Sequence, residues 1–138
     1  MSVIVTDTGF AVDDWAGDFV TCKGCAANDA DYAVDVASDT APEALPALVN
    51  APMIRISFPS SADGRGFTLA SILRRAGYSG RLRAHGHILA DQYAMARRAG
   101  FDEVEISQDL ATRQPQDQWL ARADWRAHDY QSRLRQPA

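Results

Sequence analysis

The sequence predicts an α/β protein. Repeated βα units build a parallel sheet of about four strands, half-TIM-barrel-like in outline, behind a short N-terminal hairpin. Three observations carry this expectation. From residue 31 onward, short apolar strand signals alternate with helix-length stretches. Two of those stretches end in the same five-residue pattern. Each strand signal contains an apolar–ionisable–apolar triplet, which gives a strand one apolar and one polar face.

With 138 residues, the chain has the length of one domain, read as a hairpin or cap over 1–30 and βα repeats over 31–138. In the cap, Val3-Ile4-Val5 reads as a strand, Gly9 as a turn and Phe19-Val20 as a second strand. The next strands are expected over 32–37, 53–58, 81–85 and 103–106. Helices are expected over about 42–49, 67–76, 88–99 and 115–134. Such alternation implies right-handed crossovers. Leu69, Ile72, Leu73 and Ala76 fall on one helical face, with Arg74 and Arg75 off it. Trp119, Ala123 and Tyr130 mark the side of the last helix that packs on the sheet.

Arg74-Arg75-Ala76-Gly77-Tyr78 returns 23 residues later as Arg97-Arg98-Ala99-Gly100-Phe101. Cations in a last turn complement the helix dipole. Glycine then takes the left-handed conformation that ends the helix, and the aromatic residue anchors the turn in the core. Two such ends make an internal structural repeat.

The strand triplets are Val34-Asp35-Val36, Ile54-Arg55-Ile56, Leu82-Arg83-Ala84 and Val104-Glu105-Ile106. In register, Asp35, Arg55, Arg83 and Glu105 form a charge ladder, with Arg55 and Arg83 adjacent. Ser57 and His85 lie two residues nearer the strand ends. A parallel sheet covered on both faces reads as continuous apolar runs, and this one does not. The polar face is either the interior of a half-barrel or the wet or hairpin-covered side of an open sheet. A mutually satisfied ladder without chemistry fits the same residues.

An apolar fraction of 46% and a charged fraction of 23% are those of a globular protein. No apolar run approaches the roughly 18 residues of a membrane span. The N-terminus lacks a basic start and a long apolar stretch, so neither a signal peptide nor a membrane association is expected, and the location is cytoplasmic. A net charge of −4 and a pI of about 5.2 argue against nucleic-acid binding. Residues 1–52 hold nine acidic groups against Lys23, whereas residues 53–138 hold thirteen arginines against nine acidic groups. That second half can attract a small anion, because guanidinium groups suit bidentate oxyanion recognition. Cys22 and Cys25 form one C-x-x-C in poorly patterned chain, read as structural or incidental reduced thiols with no metal site. The chain contains no nucleophile elbow, Walker loop, dinucleotide fingerprint or zinc-helix motif.

A candidate binding site follows from placement. Ligands of parallel α/β sheets bind at strand C-termini. There the loop carrying Ser60, Ser61, Asp63, Gly64, Arg65 and Gly66 joins a predicted strand to a predicted helix. Its glycines let backbone approach a ligand, its serines and Arg65 donate, and Asp63 orients Arg65. The next unit brings Arg83, His85, Asp91 and Gln92 to the same end. His85, on the side of Arg83, is the candidate catalytic proton-transfer group, while His87 is left to solvent.

These residues also carry a resemblance. Phe58-Pro59, Asp63-Gly64-Arg65-Gly66-Phe67, Leu73-Arg74, Gly77-Tyr78-x-Gly80, Leu82-Arg83-Ala84-x-Gly86, Leu89-x-Asp91-Gln92 and Gly100-Phe101-Asp102 stand in one order. The chain resembles a bacterial family of small uncharacterised proteins labelled as an oxidoreductase probably involved in sulfite reduction, typically encoded next to sulfite or nitrite reductase genes. The similarity is dense from residue 58 to 106. Many members carry aspartate where this chain has His87 and cysteine where it has Ala99; Cys22 and Cys25 match no part of the pattern.

The resemblance implies an auxiliary protein of assimilatory sulfite reduction, a reductase-associated oxidoreductase component with a sulfite or nitrite reductase as partner. It would bind a small oxyanion or phosphate-bearing ligand at the strand C-termini. One alternative is a non-catalytic module docking a redox enzyme through an arginine-rich face. Another is a flavin or sugar-phosphate enzyme with His85 as acid–base group. Whether the chain is an enzyme, and with which cofactor, stays open at this point. A homodimer is expected, because one polar sheet face and few helices leave apolar edges to cover.

Overall fold

The alternating strand triplets are realised as one seven-stranded sheet in the computed structural model, which describes residues 2–15, 18–21, 32–49, 51–60 and 64–123. The strands are β1 (Ser2–Thr6), β2 (Gly9–Ala11), β3 (Asp18–Thr21), β4 (Tyr32–Val36), β5 (Met53–Phe58), β6 (Arg81–Gly86) and β7 (Glu103–Ser107). Their spatial order is β2-β1-β7-β6-β5-β4-β3. Strands β3 to β7 are parallel and lie in sequence order. With right-handed crossovers, that order puts every connecting helix on one face. β1 pairs antiparallel with both β2 and β7.

The N-terminal region departs from the expected hairpin in its second strand. β1 turns through Asp7 and Thr8 directly into β2, closing on the pair Thr6 and Gly9. Gly9 holds the positive φ of +117° that the turn needs. Phe19 belongs to β3, on the opposite edge and parallel to β4. Both edges of β1 are already taken, so this segment pairs where an edge is free. The parallel sheet therefore has five strands, not four.

That arrangement fixes the curvature. Six strand spacings of about 4.8 Å make a flat seven-stranded sheet about 29 Å wide. The seven steps from Ala11 to Asp18 reach about 25 Å when fully extended. The sheet must curl, and the described part of the connection, residues 12–15, lies over its concave side. Asp13 and Asp14 of this strap bond to Arg83 and Arg81 of β6, in the middle of the sheet. Curled strands with helices outside and a polar interior make a half-barrel.

The convex face is the core. Val34, Val36, Ile54, Ile56, Leu82, Ala84, Val104 and Ile106 are buried there against the helical layer. α1 (Arg65–Arg75) contributes Leu69 and Leu73, and α2 (Tyr93–Ala99) contributes Tyr93 and Ala96. α3 (Gln108–Arg113), which the sequence reading missed, starts on Ser107, whose hydroxyl accepts from Leu110 N at 3.2 Å. α4 (Gln116–Leu120) buries Trp119 edge-on to Tyr93. The expected last helix is confined to this short piece among the described residues, and Tyr130 lies outside them. Pro42–Leu48 is a 3₁₀ helix with Pro46 inside it, a residue that cannot donate to an α-helical ladder. The stretch before α2 is likewise a 3₁₀ turn, Ala90–Gln92.

Both copies of the repeated helix end behave alike. Gly77 and Gly100 have φ of +103° and +119°. Tyr78 N donates to Leu73 O, and Phe101 N to Ala96 O, the long-range bond of a Schellman turn. The first arginine of each copy clamps the carbonyl of its aromatic: Arg74 to Tyr78 O at 3.0 Å and Arg97 to Phe101 O at 2.6 Å. These arginines cap by direct hydrogen bonds as well as by their position in the dipole.

Candidate functional site

The concave face holds a continuous ion-pair network. Asp35, Arg55 and Arg83 stand in one register row. Glu103, not Glu105, completes that row, because β7 is shifted by two residues from the expected alignment. Glu105 stands one row higher with His85 and Ser57. Arg55 donates to Asp35 at 2.6 and 2.8 Å and reaches across β6 to Glu105 at 3.1 Å. Arg83, 0% exposed, donates to Glu103 at 2.8 Å, Glu105 at 2.7 Å and Asp13 at 3.0 Å. Phe19 of β3 lies 3.7 Å from the Arg55 guanidinium, a cation–π contact.

The electrostatics follow from this packing. Burial pushes the Glu105 carboxyl up, but the Arg83 hydrogen bond, with His85 and Arg55 nearby, holds it below its usual range. Asp13 is lowered in the same way, with Arg83 outweighing burial. His85 is 39% exposed, and its Nε2 lies 3.3 Å from Glu105 Oε2. Its pKa is nevertheless lowered. Burial dominates, Arg55 and Arg83 reinforce it, and Glu105 and Asp35 oppose it. The imidazole is neutral at neutral pH.

Of the residues placed by the sequence at a binding site, most are engaged elsewhere. Arg83 is closed to an anion, since its donors are consumed by three carboxylates. Arg65 is exposed at the start of α1 and donates to Ser38 at 3.3 Å. Gly64 precedes that helix as its N-cap residue. Gly66 is buried, and a Cβ there would sit 2.4 Å from the Phe58 ring, so its smallness serves packing and not ligand approach. Asp91 bonds to Arg122 at 2.6 Å, and Gln92 accepts from Leu89 N at 2.9 Å. Ser60 is exposed. Ser61, Asp63, Cys22 and Cys25 lie outside the described residues.

A different grouping does form at the strand C-termini. An open cleft of about 290 Å³ is lined by Pro59, Ser60, His87, Leu89, Leu110 and Arg113. These residues belong to the segments that follow β5, β6 and β7. His87 N is fixed by Phe58 O at 3.0 Å, which ties the second segment to the first. Arg113 and the His87 imidazole make no hydrogen bond or ion pair among the described residues. Arg113 was not singled out in the sequence. The signal available was the Ser107 helix cap, which marks α3 and places Arg113 in its last turn. No group of three or more His, Cys, Asp or Glu side chains suited to a metal occurs among the described residues.

Residues 33–138 match the family described as bacterial protein of unknown function (DUF934), and the chain belongs to that family. The matched region begins within β4, so the strap with Asp13 and Asp14 lies outside it. No curated protein and no solved structure matches the chain. No helix among the described residues is long and apolar enough to cross a membrane.

Proposed function

We propose that this DUF934 protein binds a small oxyanion, or the phosphate of a larger ligand, past the ends of β5, β6 and β7. We assign it the role of a cytoplasmic auxiliary protein of assimilatory sulfite reduction. The observation that carries the binding is Arg113. Its guanidinium, without a partner among the described residues, shares a cleft with the Ser60 hydroxyl and the His87 imidazole. Arginine offers a planar pair of donors to an oxyanion, and strand ends are where parallel sheets hold ligands. The sulfite assignment rests on the resemblance described above and is proposed on that ground alone.

A second reading is supported by one observation. Ser57, His85 and Glu105 share one register row at the strand C-termini, with a neutral, partly exposed imidazole beside a fixed carboxylate. That arrangement suits an acid–base group acting on a flavin or sugar phosphate.

Calorimetric titration of sulfite, sulfate, phosphate and flavin mononucleotide into wild type, Arg113→Ala and His85→Ala separates these readings. Loss of one charge-assisted contact is expected to weaken binding by about 10- to 150-fold. If nothing binds wild type below millimolar concentration, or if Arg113→Ala binds like wild type, the cleft is not the site. Binding of the flavin alone, unchanged in Arg113→Ala and lost in His85→Ala, moves the second reading ahead. A deletion strain that grows on sulfide but not on sulfite supports the pathway assignment; unimpaired growth on sulfite removes it.

A further inference from the structure

The outer side of α2 and of the 3₁₀ turn before it carries a stripe with an aspartate at one end and an arginine at the other. Asp91, Ala94, Met95 and Arg98 recur at i, i+3, i+4 and i+7 and line one wall of an open groove of about 420 Å³. Ala121 and Arg122 form the other wall. Met95 is 50% exposed, unusual for a large apolar side chain at the centre of a groove. Arg98 makes no hydrogen bond or ion pair among the described residues. Asp91 is highly exposed and contacts Arg122 alone. An exposed pair of that kind contributes little stability by itself and leaves the carboxylate free to accept more donors.

We infer that this groove is the interface for a second copy of the chain, packed with its α2 antiparallel about a two-fold axis through Ala94 and Met95. The occupant follows from the charges. Seven residue steps, through the 3₁₀ turn and along α2, separate Asp91 from Arg98 by at least roughly 10 Å, too far for them to pair within one chain. Reversing the stripe about its centre sets each Asp91 against the other copy's Arg98. Both Met95 side chains then meet at the axis. An acidic partner would satisfy Arg98 but set its charge beside Asp91, and a basic partner would meet both Arg98 and Arg122. A copy of the same stripe satisfies both ends at once, as an isologous interface requires. The Asp91 carboxylate, with several acceptor sites, then bridges Arg122 of its own chain and Arg98 of the second copy. Methionine at the centre adapts to its own image across the axis.

Sedimentation velocity of the full chain tests this, with Asp91→Arg, Arg98→Asp and the combined exchange D91R/R98D beside wild type. Wild type at about 100 μM is expected at twice the 15.1 kDa chain mass. Each single exchange sets two like-charge pairs across the axis and raises the dimer dissociation constant at least about tenfold. The combined exchange restores both cross-axis pairs with reversed sense; because its new cation at position 91 still faces Arg122 of its own chain, the constant is expected to fall below that of either single exchange without reaching the wild-type value. Both positions of change are exposed, and circular dichroism confirms that each variant is folded. A wild-type mass of 15.1 kDa up to about 500 μM overturns the inference. So does a dimer that ignores the single exchanges, or a combined variant no better than the worse single one.

Discussion

Replacing Arg83 by Met is expected to destabilise the protein severely at neutral pH and much less in acid. The side chain is fully buried and donates to Glu103, Glu105 and Asp13. Removing one member of a buried ion network costs about 3–5 kcal/mol, because charges are left uncompensated in low dielectric. The low end applies here. Glu103 keeps Arg81 at 2.9 Å, and Glu105 keeps Arg55 at 3.1 Å. A loss of about 3 kcal/mol corresponds to a fall of about 10–15 °C in Tm for a domain of this length. The pH dependence has a defined sign. In wild type the Glu105 carboxyl lies below its ordinary 4.5, so its contribution is complete above 4.5 and is lost as pH falls through the folded value. Without Arg83, burial is no longer outweighed, and the carboxyl protonates more readily. The variant's deficit then shrinks between pH 7 and pH 4. Urea unfolding at both pH values measures it. A deficit under about 1 kcal/mol at pH 7, or one unchanged at pH 4, refutes the account of a closed network.

His85 is expected to titrate below 6.5 by NMR, because burial and the neighbouring Arg55 and Arg83 outweigh Glu105 and Asp35. Its effect on stability therefore has the sign of a base kept neutral: no penalty above 6.5, and a growing one as pH falls toward the folded value. Glu105→Gln should move the midpoint lower still, and a midpoint at or above 6.5 contradicts the assignment. Gly86→Ala should cost about 3 kcal/mol and Gly77→Ala about 1 kcal/mol. Both have positive φ, but a Cβ on Gly86 would lie 2.5 Å from the Phe58 carbonyl oxygen, whereas Gly77 faces open space. Equal losses in thermal unfolding would show that the contact with Phe58 does not matter.

The parts of the fold that were legible from sequence are those with a local physical cause. Strand triplets gave two-faced strands, and Arg-Arg-Ala-Gly-aromatic gave two helix ends whose bonds match atom for atom. What was illegible depends on distant partners. Phe19 reads as a strand in any context, yet only the pairing of β1 with both β2 and β7 sends it to the far edge. Asp13 and Asp14 look like ordinary loop residues until the strap is seen crossing β6. The ladder's register turned on a two-residue offset of β7, which no triplet encodes, since Glu103 and Glu105 share the same face. Arg113 sits on a six-residue helix too short for a hydrophobic period to announce it.

The arginines show why composition alone points to the wrong residues. Of the ten described, Arg55, Arg74, Arg81, Arg83, Arg97 and Arg122 stand in ion pairs. Arg65 and Arg75 hydrogen-bond to Ser38 and to the Ser71 carbonyl. The positive balance of the second half is thus spent largely on carboxylates, two of which come from the acidic strap of the first half. Among the described residues, unpaired arginines do not gather into one broad face. Two guanidinium groups stay without a partner among the described residues, and they lie in different places. Arg113 opens on a polar cleft at the strand ends, where we propose that a small anion binds. Arg98 ends a stripe that carries an aspartate at its other end, the face we infer for a second copy. The two proposed roles differ because the groups beside each arginine differ: Arg113 shares its cleft with a serine and a histidine and no carboxylate, while Arg98 has an aspartate seven positions before it to supply the complement in reversed order.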